Sequence, residues 1–211
     1  MAEIRIFSYL PNPRVAKATI TGRLNGVDVE VVGTRPGDLK DWLWDFDARP
    51  LTLEDRHAGK HARIARTGFS GELFKTDRFM MAHPYGTVPA AFSGDGKVGI
   101  FESNSIMRAV ARLGNDKCAL YGKDAFSASR IDSFLDTAPL FARDAQIYLL
   151  ALGDEQVSDP IFEGAMEAYG KYLSGVDLAL RSSDFIAGDD LSIADIGFAC
   201  ELCLFGRELA A

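Results

Sequence analysis

Along the first third of the chain, apolar positions change their spacing from alternation to helical repeat and back. Glu3 to Tyr9 reads as a strand, with Ile4, Ile6 and Ser8 on one face and Arg5, Phe7 and Tyr9 on the other. After Pro11-Asn12-Pro13, the run from Arg14 spaces Val15, Ala18, Thr19 and Gly22 along a helical face, and Asn25-Gly26 supplies a stop. Val27 to Val32 returns to a strand pattern. Together these predict a β-α-β unit, whose crossover is right-handed.

Residues 33–71 show no compact pattern, because Pro36, Gly37, Pro50 and scattered charges interrupt the Trp42-Leu43-Trp44 cluster. They read as an insertion or a long ordered loop, which is functional, or else a surface excursion anchored by its tryptophans. A short helix is predicted over Glu72 to Ala82, and His83-Pro84-Tyr85-Gly86 turns the chain. Thr87 to Phe92 and Lys97 to Phe101 then pair about Gly94-Asp95-Gly96, and a helix runs from Ser103 to Gly114. The order is βαβ, then α-ββα, which with a Val-Pro opening the third strand predicts an N-terminal thioredoxin-like α/β domain over 1–114.

Beyond a linker, the pattern is all-helical over 123–211. One long run spans Ala125 to Leu152, with Pro139 as a candidate kink, and another spans Pro160 to Leu180. Ser192 and Asp195 form S-x-x-D ahead of an apolar run, the signature of a capping box.

Composition narrows the function classes. A formal charge of -7 with only scattered basic residues opposes a nucleic-acid groove, which needs a Lys/Arg stripe. The start carries no signal-peptide pattern and no apolar run spans a bilayer, so a cytoplasmic protein without membrane contact is expected. Cys200 and Cys203 make a C-x-x-C inside an apolar helical run, which reads as a buried face and not a redox pair. His57 and His61 have only Asp55 nearby, so no metal site is expected.

Three local patterns converge, and two of them carry candidate chemistry. A cis peptide at Val88-Pro89 in Thr87-Val88-Pro89 turns the Val88 N–H and C=O outward, where an extended peptide pairs with them as another strand would. In Phe101-Glu102-Ser103-Asn104, a hydroxyl at a strand-to-helix boundary and the helix N-H groups suit a carboxylate, while Glu102 suits an ammonium. The Ser192/Asp195 box serves folding.

Through TVP, FESNSI and AGDDLSIAD, in that order over essentially the whole chain, the sequence resembles the glutathione transferase superfamily. IFSYLPNPRVAKA with FESNSI looks most like the transferase-like domain of the translation elongation factor 1B gamma subunit. The resemblance implies glutathione as co-substrate, Val88 pairing with its cysteinyl backbone, and Glu102 and Ser103 binding its γ-glutamyl end. It also implies a helical half of the transferase type and a homodimer or larger complex.

Two departures qualify what is implied. Where many members carry a thiol-activating Ser, Tyr or Cys, this chain has Leu10-Pro11-Asn12-Pro13-Arg14, which leaves Asn12 and Tyr9 as candidates, with Arg14 adding positive potential. Asn12 alternatively closes an Asx turn between two prolines. The chain also ends soon after the capping-box helix, at Glu208-Leu209-Ala210-Ala211, where relatives generally continue, so a shortened helical half is expected. The expected function is conjugation of glutathione to electrophilic small molecules, the alternative a non-catalytic interaction module of the elongation-factor type.

Overall fold

The computed structural model describes residues 2–65, 69, 71–114 and 119–204, and the chain divides into two compact units, residues 1–114 and 115–211. In the first unit β1 (Ile4–Tyr9) leads through α1 (Pro13–Asn25) to β2 (Val29–Thr34). Asn12 caps α1, Pro13 opens it, and Gly26 closes it at φ 74°, where a residue without Cβ is favoured. A Cβ on Gly22 would lie 2.7 Å from Val29 Cγ2, so glycine lets α1 lie close against β2.

The main sheet has the order β2-β1-β7-β8, with β7 at Ala90–Ser93 and β8 at Gly99–Phe101. β1 runs parallel to β2 and antiparallel to β7, and β7 runs antiparallel to β8. Helix α4 (Ser103–Leu113) follows. Ile4 and Ile6 pack with Val15 and Ala18 of α1 and Ile106 and Val110 of α4. Phe7, pointing the other way, packs with Leu39, Trp44, Phe79 and Phe92. The alternation read from the sequence therefore feeds two cores, one on each face of β1.

The segment 33–71 departs from the loop expectation. It holds a 3₁₀ turn (Pro36–Asp41), β3 (Trp42–Trp44), β4 (Arg49–Pro50), α2 (Leu53–Ala58) and β5 (Ala62–Ile64). With β6 (Glu72–Lys75) these strands make a second sheet of order β4-β3-β6-β5. Strands of two to four residues are too short to display alternation, which hides them from a periodicity reading. The helix expected over Glu72 to Ala82 is likewise split. Its first four residues are β6, and α3 (Asp77–Ala82) starts only where the Thr76 hydroxyl accepts the Phe79 N–H.

Trp44 is fully buried, donates Nε1–H to the Leu39 carbonyl at 3.0 Å, and meets Phe7 and Phe79 edge-on. That contact anchors the second sheet to the main one. Arg5 on β1 adds bonds to Glu30 (2.9 Å), Asp47 (2.7 Å) and the Phe46 carbonyl.

In the second unit α5 (Ala125–Gly153) contains Pro139 and packs on α6 (Asp159–Leu180), with Phe141 and Tyr172 stacked at 4.6 Å. The capping box stands at the start of α7 (Ile193–Leu202). Asp195 accepts from Ser192 N (2.9 Å), Ser192 Oγ (2.9 Å) and, outside the box, Ile186 N (2.8 Å). Cys200 is buried and Cys203 exposed. Residues 208–211, on which the shortened-half expectation rests, lie outside the described residues.

Asp195→Ala removes three hydrogen bonds at one helix start and is expected to lower the unfolding free energy by about 2 kcal/mol, read by urea denaturation. Asp195→Asn, which keeps acceptor capacity, loses less. A second expectation concerns His83, buried between Phe79 and Phe92 with neither ring nitrogen hydrogen-bonded. Burial pushes its pKa from 6.5 down to about 4. Above pH 6.5 both folded and unfolded states hold it neutral; between 6.5 and about 4 the unfolded chain binds the extra proton, so stability falls as pH falls. The melting temperature of His83→Phe should decline less over that window than that of the parent.

Candidate functional site

Strand register assembles the site. Phe7 pairs with Ala90 and Ala90 with Phe101, so one row crosses β1, β7 and β8. Beyond that row, at one end of the sheet, β1 leaves through Tyr9 toward the α1 turn, β7 is entered through Val88-Pro89, and β8 exits into Glu102-Ser103. Segments distant in the chain thereby converge on one edge.

At the entry to β7 the Val88-Pro89 bond is cis, as expected from the sequence. Thr87 is exposed and Val88 half-buried, and β7 itself begins only at Ala90. The preceding turn is held from the second sheet: Lys75 Nζ donates to the Gly86 carbonyl at 2.6 Å while lying over the Trp44 ring. Burial lowers the Lys75 pKa, and nearby Arg63 lowers it further. Gly86 sits at φ 60°, a conformation L-residues rarely adopt.

At the exit from β8, Glu102 is the N-cap of α4 and has φ 66°, one of two described non-glycine residues with positive φ. Such geometry costs about 1–3 kcal/mol and persists where its surroundings enforce it. Its exposed carboxylate has no hydrogen-bond partner among the described residues. The first intrahelical bond runs from Ile106 N to Glu102 O at 3.0 Å, so the N–H groups before it point out of the helix end, where an anion is favoured. The Ser103 hydroxyl, half-buried, stands at this end.

The α1 turn is differently occupied. Asn12 is 6% exposed; its side-chain oxygen accepts the Arg14 N–H at 2.9 Å and its amide donates to Ser8 Oγ at 3.1 Å. This is the Asx-turn arrangement, leaving one amide N–H for other use. Tyr9 is half-buried beside Thr34, and Arg14 is half-buried one residue inside α1. Ser192 and Asp195 lie in the second unit as folding elements of α7.

One polar residue of this end had drawn no attention in the sequence. Lys17 of α1 is 1% exposed and donates to Asn104 Oδ1 at 2.8 Å and to Ser103 Oγ at 3.4 Å. Its only sequence signal is a position between Val15 and Ala18 on the buried side of α1. No group of three His, Cys, Asp or Glu among the described residues is placed to hold a metal ion, and no described helix is long and apolar enough to cross a membrane.

No family model matches the chain. In sequence it is 31% identical over 136 residues to the probable elongation factor 1-gamma 1 of Arabidopsis thaliana, covering 64% of this chain and 32% of that protein. It is 25% identical over 175 residues to glutathione S-transferase 1 of Zea mays, covering 80% and 79% respectively. The chain thus spans about a third of the length of the elongation-factor relatives and most of the length of the transferase. In structure it resembles glutathione S-transferase I from maize in complex with an atrazine glutathione conjugate, with TM-score 0.65 and 19% identity over 99% of this chain and 85% of that one. The chain is therefore similar in sequence to elongation factor 1-gamma and to glutathione S-transferases, and it has the fold of the glutathione S-transferases.

Proposed function

We propose that the chain binds glutathione at the shared edge of β1, β7 and β8 and conjugates its sulfur to an electrophilic small molecule. The observation supporting this is the row Phe7–Ala90–Phe101, beyond which the chain segments that carry Val88 and Glu102-Ser103 leave the sheet at the same end. Thr87, Val88 and Pro89 receive the cysteinyl backbone as an added strand. Ser103 and the α4 N-terminus take the γ-glutamyl carboxylate, and Glu102 its ammonium.

The chemistry asks little more than a thiolate. The glutathione thiol, with a pKa ordinarily about 8.5, gives its proton to solvent. The sulfur lone pair forms the new C–S bond, and the leaving group departs with its bonding electrons. Hydrogen bonds from Asn12 or Tyr9, the positive end of α1 and Arg14 favour the charged sulfur. The partner substrate is a hydrophobic electrophile, and the protein works in the cytoplasm as a homodimer or within a larger complex.

A second reading is a non-catalytic module of the elongation factor 1-gamma type. It is favoured by the similarity to those proteins and by Asn12, whose oxygen and one amide N–H are already engaged. Retention on glutathione resin followed by turnover of chlorodinitrobenzene separates the two: retention with turnover supports the enzyme, retention alone the module, and absence of retention overturns the site.

Ser103→Ala and Glu102→Gln should each weaken glutathione binding by about tenfold or more in calorimetric titration, since a hydrogen bond to a charged group contributes about 1.5–3 kcal/mol. Glu102→Gly should combine two effects of opposite sign: a higher melting temperature, because φ 66° costs glycine nothing, and weaker glutathione binding. For the sulfur end, rate against pH is the measurement. If Asn12 or Tyr9 holds the thiolate, Asn12→Ala or Tyr9→Phe raises the pH midpoint of turnover, each unit corresponding to about 1.36 kcal/mol. Coincident profiles mean that neither side chain activates the thiol.

A further inference from the structure

We infer that Lys17 is a positioning residue that fixes the Ser103 hydroxyl as a hydrogen-bond donor and thereby makes the start of α4 selective for a carboxylate. The inference rests on the reading of that edge as a glutathione site. An ammonium has three donors and no acceptor. Where Lys17 Nζ approaches Ser103 Oγ at 3.4 Å, the hydroxyl oxygen serves as acceptor on that side, and its own hydrogen is left to point elsewhere. The shorter bond to Asn104 Oδ1, 2.8 Å, holds the ammonium in place and uses the amide oxygen of the next residue.

Ser103 Oγ and Asn104 Oδ1, two of the acceptor oxygens at the helix start, thus face Lys17. What this end offers a ligand is N–H and O–H donors, which suit a carboxylate and repel a cation. Lys17 itself is 1% exposed and remains behind the site as a buried positive charge, where screening by solvent is weak. The ammonium of the same ligand is left to Glu102, whose exposed carboxylate lies one residue away. The pair reads an amino-acid head group with a defined polarity.

The test compares glutathione with its decarboxylated analogue, 4-aminobutyryl-cysteinyl-glycine, by calorimetric titration of the full chain. The parent should prefer glutathione, the preference should shrink about tenfold in Lys17→Met, and Lys17→Arg should restore most of it. A general loosening of the fold would weaken both ligands alike and leave the ratio unchanged, and that result overturns the inference. If Lys17→Met fails to fold, Lys17→Gln, which keeps N–H donors without the charge, takes its place with the same expected direction. If the parent binds neither peptide, the glutathione reading falls, and amide hydrogen exchange at residues 103–105 decides the positioning role. Faster exchange in Lys17→Met than in the parent supports it, and equal exchange overturns it.

Discussion

β1 has no solvent face, and the rest of the first unit is arranged around that fact. Ile4 and Ile6 are sealed by α1 and α4, while Phe7 is sealed by Leu39, Trp44, Phe79 and Phe92. Fully burying such side chains contributes about 1.5–3 kcal/mol each, more than the roughly 0–1 kcal/mol typical of a surface ion pair. β2 and β7 flank this strand in the sheet, and β7 brings β8 with it. Once those neighbours are fixed, the three strand ends that carry Tyr9, Val88 and Glu102 meet at one edge. The site is a consequence of where β1 is buried.

The second sheet enters through the same constraint. It supplies Trp44 to the layer over Phe7, so the long segment between β2 and α3 is a wall of the core and not an excursion from it. Its outer parts are tied by charge. Arg5 lies over the Phe46 ring at 4.6 Å and Arg78 lies over the same ring at 5.1 Å, each an attraction of about 0.5–2 kcal/mol. Lys75, caught between the Trp44 ring and the Gly86 carbonyl, carries the connection onward to the turn that precedes Val88. The segment least ordered in sequence pattern therefore supports the most specific stretch of backbone.

What the sequence disclosed followed from spacing and local chemistry. The βαβ and ββα units, the two long helices, the Ser192/Asp195 box and the Val88-Pro89 geometry depend on residues adjacent or a turn apart, and they are found where the pattern put them. β3 to β6 are too short to show a period, and their pairing β4-β3-β6-β5 joins residues far apart in the chain. Lys17 was invisible for another reason. A lysine in a helix is read as solvated, and only the approach of α4 reveals the buried acceptors Asn104 and Ser103 that hold it. Glu102 was legible as a candidate carboxylate before a helix, but its positive φ has no residue signature.

The two ends of the site differ in how much is already fixed. At the γ-glutamyl end, the helix start, a buried ammonium and a hydroxyl are held in one arrangement before any ligand arrives, so little ordering remains for binding to offset. At the sulfur end, the side chain best placed to act, Asn12, spends its oxygen on Arg14 N and part of its amide on Ser8. Its orientation is thereby rigid, yet only one N–H is left to stabilise a thiolate. Transition-state stabilisation requires donors aimed where charge develops, whereas affinity draws on every fixed contact along the peptide. On the proposed reading, this division separates affinity for glutathione, which draws on contacts already fixed at the α4 start, from the chemical step, which depends on the one N–H that Asn12 leaves.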